Sequence, residues 1–105
     1  MSGSRELALH FQDVLSPLQM VGVRRFFGGW ALTCHGRQFA IVMDTLYLRT
    51  DDDLRKTLSS RGSTPFSYRS GNRRVLVERY YTAPEEALER PEELCRLARR
   101  AITAR

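Results

Sequence analysis

Residues 22–50 hold three extended runs separated by two short breaks, His35-Gly36 and Asp44-Thr45. Each break is the length of loop that joins neighbouring antiparallel strands. If His35-Gly36 is the first loop, Cys34 faces Arg37, Leu32 faces Phe39 and Trp30 faces Ile41. If Asp44-Thr45 is the second, Met43 faces Leu46, Ile41 faces Leu48 and Phe39 faces Thr50. Side chains alternate along a strand, so both readings put Trp30, Leu32, Phe39, Ile41, Met43, Leu46 and Leu48 on one face. That face is apolar enough to be a core. The opposite face collects Ala31, Thr33, Gln38, Ala40, Val42, Tyr47 and Arg49 and is small and mixed.

The flanking segments supply the rest of a two-layer domain. Ser4 suits an N-cap, and Leu7, Phe11, Val14, Leu15 and Leu18 make an amphipathic helical stripe that should lie on the apolar sheet face. Pro17 either ends this helix near Leu15 or kinks it. Adjacent glycines weaken a strand, so Gly28-Gly29 within the run Val23 to Trp30 marks a bulge, a bend or a close backbone approach, and Gly28 or Gly29 is expected at a bulge or at positive φ. A nucleic-acid platform also mixes basic, aromatic and glycine residues. Here, however, the glycines follow Phe26-Phe27 without alternating with them, and neither GxxxxGK[ST] nor GxGxxG is present.

Asp51, Asp52 and Asp53 favour a helix start, and Gly62 suits the left-handed position beyond its end, giving a helix of about ten residues. Around Gly71-Asn72 a hairpin pairs Tyr68 with Val75 and Phe66 with Val77 on the core face, leaving Arg69 opposite Arg74 outside. Leu76 and Tyr80 share that outer side. Pro84 and Pro91 open two closing helices, the second with Glu92 and Glu93 first and Arg99 and Arg100 last. Arg90 stands where an N-cap is wanted.

With 105 residues the chain is expected to form one domain, residues 1–105, of α+β class: a two-layer, antiparallel five-stranded sheet with helices on one face, in the order α-β-β-β-α-β-β-α. Of the 17 basic residues only Lys56 is a lysine, and the net charge of +5 is concentrated in segments 22–50 and 64–83, each +3. The excess therefore sits on the strands. Cys34 and Cys95 lack a CxxC spacing, so reduced thiols are expected and zinc is not. Neighbouring Cys34 and His35 point to opposite faces of a strand, which leaves no nucleophile and base together. No catalytic set, metal site or cofactor is expected, nor a membrane segment, and the cytoplasm is the expected compartment.

The blocks RRFFGGWAL, GRQFAIV, DTLYLRTDD, GSTPFSY and YYTAPEEALERPEELCRLARRAI, in this order, resemble the N-terminal domain of the TfoX/Sxy competence regulators. The resemblance runs from about Leu7 to Ile102. The family's first block reads R-x-M-F-G-G-x-G-L; here Phe26 replaces the methionine and Ala31 a common third glycine. Arg25, Phe27, Gly28 and Gly29 match the motif and are expected to be structural. The resemblance implies a YjbR-like fold and a regulatory, non-enzymatic role. In that family full-length regulators act with the cyclic-AMP receptor protein and carry a second, C-terminal domain, for which this chain is expected to have no room.

Residue chemistry alone does not say what the chain does. The first expectation is a protein-interaction domain whose partner, by resemblance, is a transcription regulator, with a homodimer also open. The contact face would carry Tyr47, Arg49, Arg69, Arg74, Leu76 and Tyr80, since tyrosine and arginine are enriched at interfaces. Direct nucleic-acid binding through the same basic face ranks second.

Overall fold

In the computed structural model, which describes residues 4–104, Met1, Ser2, Gly3 and Arg105 lie outside the described residues. Helix α1 (Arg5–Val14) starts where Ser4 Oγ accepts the Leu7 backbone N–H, and after Leu15 the chain tightens into a 3₁₀ turn at Ser16–Leu18, the position of Pro17. Six strands follow: β1 (Val21–Phe26), β2 (Gly29–Cys34), β3 (Arg37–Val42), β4 (Leu46–Arg49), β5 (Pro65–Ser70) and β6 (Arg73–Thr82). Helix α2 (Asp52–Ser60) lies between β4 and β5, while α3 (Glu85–Leu88) and α4 (Pro91–Thr103) close the chain. All strand pairs are antiparallel, in the order β1-β2-β3-β4-β6-β5.

Register shows which side chains meet the helices. The cross-strand row Val23, Leu32, Ala40, Leu48, Tyr81 belongs to the core, as do Val42 and Leu46 beside it. Phe11, Leu15, Leu54, Leu58, Leu94 and Leu97 cover this side from the helices. The alternate row Arg24, Ala31, Ile41, Tyr47, Thr82 faces away from that layer. Asp51 caps α2 by accepting the Leu54 N–H, and Gly62 beyond its end has φ 88°. Arg90 makes no side-chain cap for α4, as its residue type suggests.

The sheet has six strands, not five, and four of them precede α2. The run read as one strand from Val23 is instead a hairpin: Phe26 pairs with Gly29, and Phe27-Gly28 is a two-residue loop. Positive φ falls on Phe27, at 49°. Gly29 has a separate reason to be glycine, because a Cβ there would stand 2.4 Å from the Val42 carbonyl oxygen and 2.4 Å from Met43 Sδ.

The central registers also differ from the simple two-loop reading. Cys34 pairs with Arg37 as expected, but the register shifts between Leu32 and Thr33, so Leu32 faces Ala40 and Trp30 faces Val42. One extra residue in β3, a bulge at Phe39, reverses which residues face the core beyond it. The next loop is Met43-Asp44-Thr45, three residues, with Val42 opposite Leu46. Ala40 and Val42 are therefore core, and Ile41 and Met43 change sides. Phe39 still reaches the core, and Trp30 packs half-buried against it.

The β5–β6 hairpin has the expected pairs, Tyr68 with Val75 and Phe66 with Val77. It turns the opposite way. Between Tyr81, opposite Pro65, and Val77, opposite Phe66, β6 runs through three residues with no counterpart in β5. That irregularity brings Phe66, Tyr68 and Val77 to the uncovered face rather than the core.

Candidate functional site

The uncovered sheet face is not flat. A groove of about 740 Å³ crosses it. One wall is the β1–β2 turn, with Phe26, Phe27 and Gly28; the floor carries Ile41, Tyr47 and Tyr80 from three successive strands. Phe66, Tyr68 and Val77 from the β5–β6 hairpin form the other wall. Each is placed by a register device already described: the Phe27-Gly28 turn raises the first wall, the β3 bulge brings Ile41 to the floor, and the β6 irregularity swings the second wall over.

The rings interlock. Tyr47 and Phe66 meet edge to face with centroids 5.2 Å apart and planes at 76°, and Phe66 lies 6.2 Å from Tyr68 at 33°. Phe26 and Phe27 form a second edge-to-face pair at 4.8 Å. Such pairs gain about 0.5–1.5 kcal/mol beyond the area they bury, so they orient the rings within walls that the backbone places. Phe27 nonetheless remains 85% exposed and Tyr68 49%.

Polar groups are few. Tyr47 Oη donates to Asp44 Oδ1 at 3.3 Å, and burial followed by the charge of Asp44 raises its phenol pKa, so it stays a protonated donor. Gln38 Nε2 donates to Tyr80 Oη at 3.0 Å while Gln38 Oε1 accepts from Arg24 Nη2 at 3.0 Å, a relay that ties Tyr80 to Arg24. Arg74 Nε donates to Ser67 Oγ at 3.1 Å on the rim.

The expected contact residues do not all converge. Tyr47 and Tyr80 share the floor and Arg74 the rim. Arg49 stands opposite Tyr80 across the β4–β6 pair, its buried Nε without a hydrogen-bond partner among the described residues. Arg69 and Leu76 do not line the groove: Leu76 is 56% exposed, and Arg69 stands directly opposite Arg74, whose side chain reaches the rim at Ser67. Of the motif residues, Phe27 and Gly28 line the groove, Gly29 supports its wall, and the Arg25 guanidinium sits 5.0 Å over the Trp30 ring. Ile41, Met43, Phe66, Tyr68 and Val77 were expected in the core. Reading Phe27-Gly28 as an X-Gly hairpin loop would have exposed at least the first wall.

Among the described residues no three His, Cys, Asp or Glu side chains come together as a metal cluster. Cys34 and Cys95 are buried free thiols, each directed at a backbone carbonyl, of Gln19 and Val14. No helix among the described residues is long and apolar enough to cross a membrane.

A two-layer α+β domain with an aromatic groove across its uncovered sheet face is the class these features define. The chain matches the TfoX N-terminal domain over residues 13–105 and belongs to that family. No curated protein matches it.

Proposed function

We propose that this chain is a non-enzymatic, regulatory protein-interaction domain and that the groove is its contact surface. Phe27 carries the reading. A phenylalanine at φ 49° and 85% exposure costs the fold backbone strain and an unburied ring, at a loop position where Asn or Gly would be comfortable. A partner that covers the ring accounts for both. Membership of the TfoX N-terminal domain family, with the TfoX/Sxy resemblance, supports a cytoplasmic transcription regulator as partner and a place in competence control.

Affinity capture from the native cell, with wild type beside a Phe27→Ala/Tyr47→Ala variant of unchanged melting behaviour, tests this. A protein held by the wild type and lost from the variant is expected; equal recovery by both would refute the groove as the interface. Direct nucleic-acid binding is the second reading. It is favoured by the strands' eight arginines against one acidic residue, Glu78. Tight binding of DNA or RNA that collapses with salt would place it first.

A further inference from the structure

The charges around the groove are unbalanced in a way that selects its occupant. Among the described residues the ion pairs are Arg55 with Asp52 and Arg61 with Glu86 and Glu93, all outside the sheet. No strand arginine has an acidic partner among the described residues. Arg74 lines the groove, and Arg24 and Arg49 stand on the same sheet face outside its lining; the acidic group in the lining is Asp44, which is held by the Tyr47 hydroxyl. The groove is thus an apolar, ring-lined trough with uncompensated guanidinium groups beside it.

We infer that the groove receives an acidic peptide segment bearing large apolar side chains, in extended conformation; this rests on the groove being the contact surface. From the β1–β2 turn to β5 the trough crosses four strand spacings, about 19 Å, the span of about six extended residues. Aromatic and aliphatic side chains of the segment occupy the trough over Ile41 and Val77 and cover Phe27. Its carboxylates meet the arginines, whose planar forks bind carboxylate with two donors.

A second copy of this chain is a poorer occupant. Its acidic clusters, Asp51 to Asp53 and Glu85 to Glu93, stand at helix N-termini in the other layer, with Asp51 capping α2 and Glu93 paired to Arg61. Placing them in another copy's groove would give up the Asp51 cap and the Glu93–Arg61 pair that hold them here. A nucleic-acid strand fits less well too. It needs open ring faces and a continuous phosphate track, whereas here the rings interlock edge to face and Arg74 is the one arginine lining the trough.

The test uses fluorescein-labelled octapeptides alternating Glu or Asp with Phe or Leu, a matched peptide with Lys at the acidic positions, one with Ser there, and a ten-nucleotide oligothymidylate. Each is titrated into the full chain by anisotropy, with amide shifts mapping the site. The acidic peptide should bind at least tenfold more tightly than the Lys or Ser peptides and shift Phe27, Tyr47 and Tyr68. Its affinity should fall at least tenfold in the exposed-residue variant Arg24→Glu/Arg74→Glu and be only partly restored in Arg24→Lys/Arg74→Lys, which keeps the charge without the two-donor fork. Equal binding of the Lys or Ser peptide at the groove overturns the acidic preference but leaves the interface standing. Groove shifts with the oligonucleotide and none with the acidic peptide overturn it in favour of nucleic acid, and a groove-mediated dimer in sedimentation overturns it in favour of self-association. If no probe shifts groove resonances, the acidic-segment inference falls; the interface itself falls only if native-partner capture is also unaffected by Phe27→Ala/Tyr47→Ala.

Discussion

Replacing Phe27 by asparagine separates what the fold needs from what the groove offers. The left-handed backbone at φ 49° costs a non-glycine residue about 1–2 kcal/mol, and asparagine is one of the few residues that enters it with little penalty. Against this stands the lost ring. A phenylalanine side chain presents about 200 Å². At 85% exposure only about 30 Å² of it is covered, worth about 0.8 kcal/mol at ~25 cal/mol/Å². The edge-to-face pair with Phe26 is lost as well, about 0.5–1.5 kcal/mol, so the two sides nearly cancel: the balance lies between a loss of about 1.3 and a gain of about 0.7 kcal/mol, a Tm change of no more than about 6 °C for a domain of this size. Calorimetry on wild type and Phe27→Asn reads this directly, and the acidic octapeptide should lose at least tenfold in affinity. A loss of stability above about 2 kcal/mol would show that the ring is held by packing. The argument from its exposure would then collapse.

Gly29→Ala should destabilise by about 1–3 kcal/mol, because the new methyl meets the Val42 carbonyl, which is backbone and cannot swing aside; an unchanged urea midpoint would contradict the close approach. Leu48→Ala should cost about 2–5 kcal/mol, since Leu48 is fully buried in the central core row; a cost below about 1 kcal/mol would mean the row is wrongly placed. The Arg61 guanidinium, 2.8 Å from Glu93, holds that carboxyl below its ordinary 4.5, so its contribution is present above that pH and is lost on acidification. Acid melts should show a shallower decline in Glu93→Gln than in wild type. Tyr47 behaves in the opposite sense: its raised phenol pKa favours folding below pH 10.0 and that support is lost as the pH climbs further, a slope that Tyr47→Phe should remove.

Local chemistry was legible wherever one residue type had one use. Ser4 and Asp51 as caps, Gly62 beyond a helix, Gly71-Asn72 as a hairpin loop and Pro91 at a helix start all stand as their residue types suggest. Register was legible only up to the first irregularity. The bulge at Phe39 and the three-residue loop at Met43 to Thr45 each change side-chain parity, and apolar residues on both faces of β3 left nothing in the pattern to contradict the wrong choice. Phe66 and Tyr68 were assigned to the core because large apolar residues usually belong there, and hydrophobicity alone cannot distinguish a core from a ring-lined groove. Strand alternation sufficed for Tyr47, whereas Tyr80 shares the groove face without Leu76 because the β6 irregularity lies between them. Phe27 gave no such signal; its peculiarity is conformational.

The contact at Gly29 sets the geometry of the groove by main chain rather than by side-chain fit. The β1–β2 turn stands so close to β3 that a Cβ at Gly29 would overlap the Val42 carbonyl, so the wall's base is placed by main chain and not by the side chain that Phe27 presents. Substitutions at the tip can therefore alter what the groove selects without shifting its dimensions. Recognition and architecture are separable variables in this domain, and a partner preference could be exchanged at that turn while the remaining scaffold stays as it is.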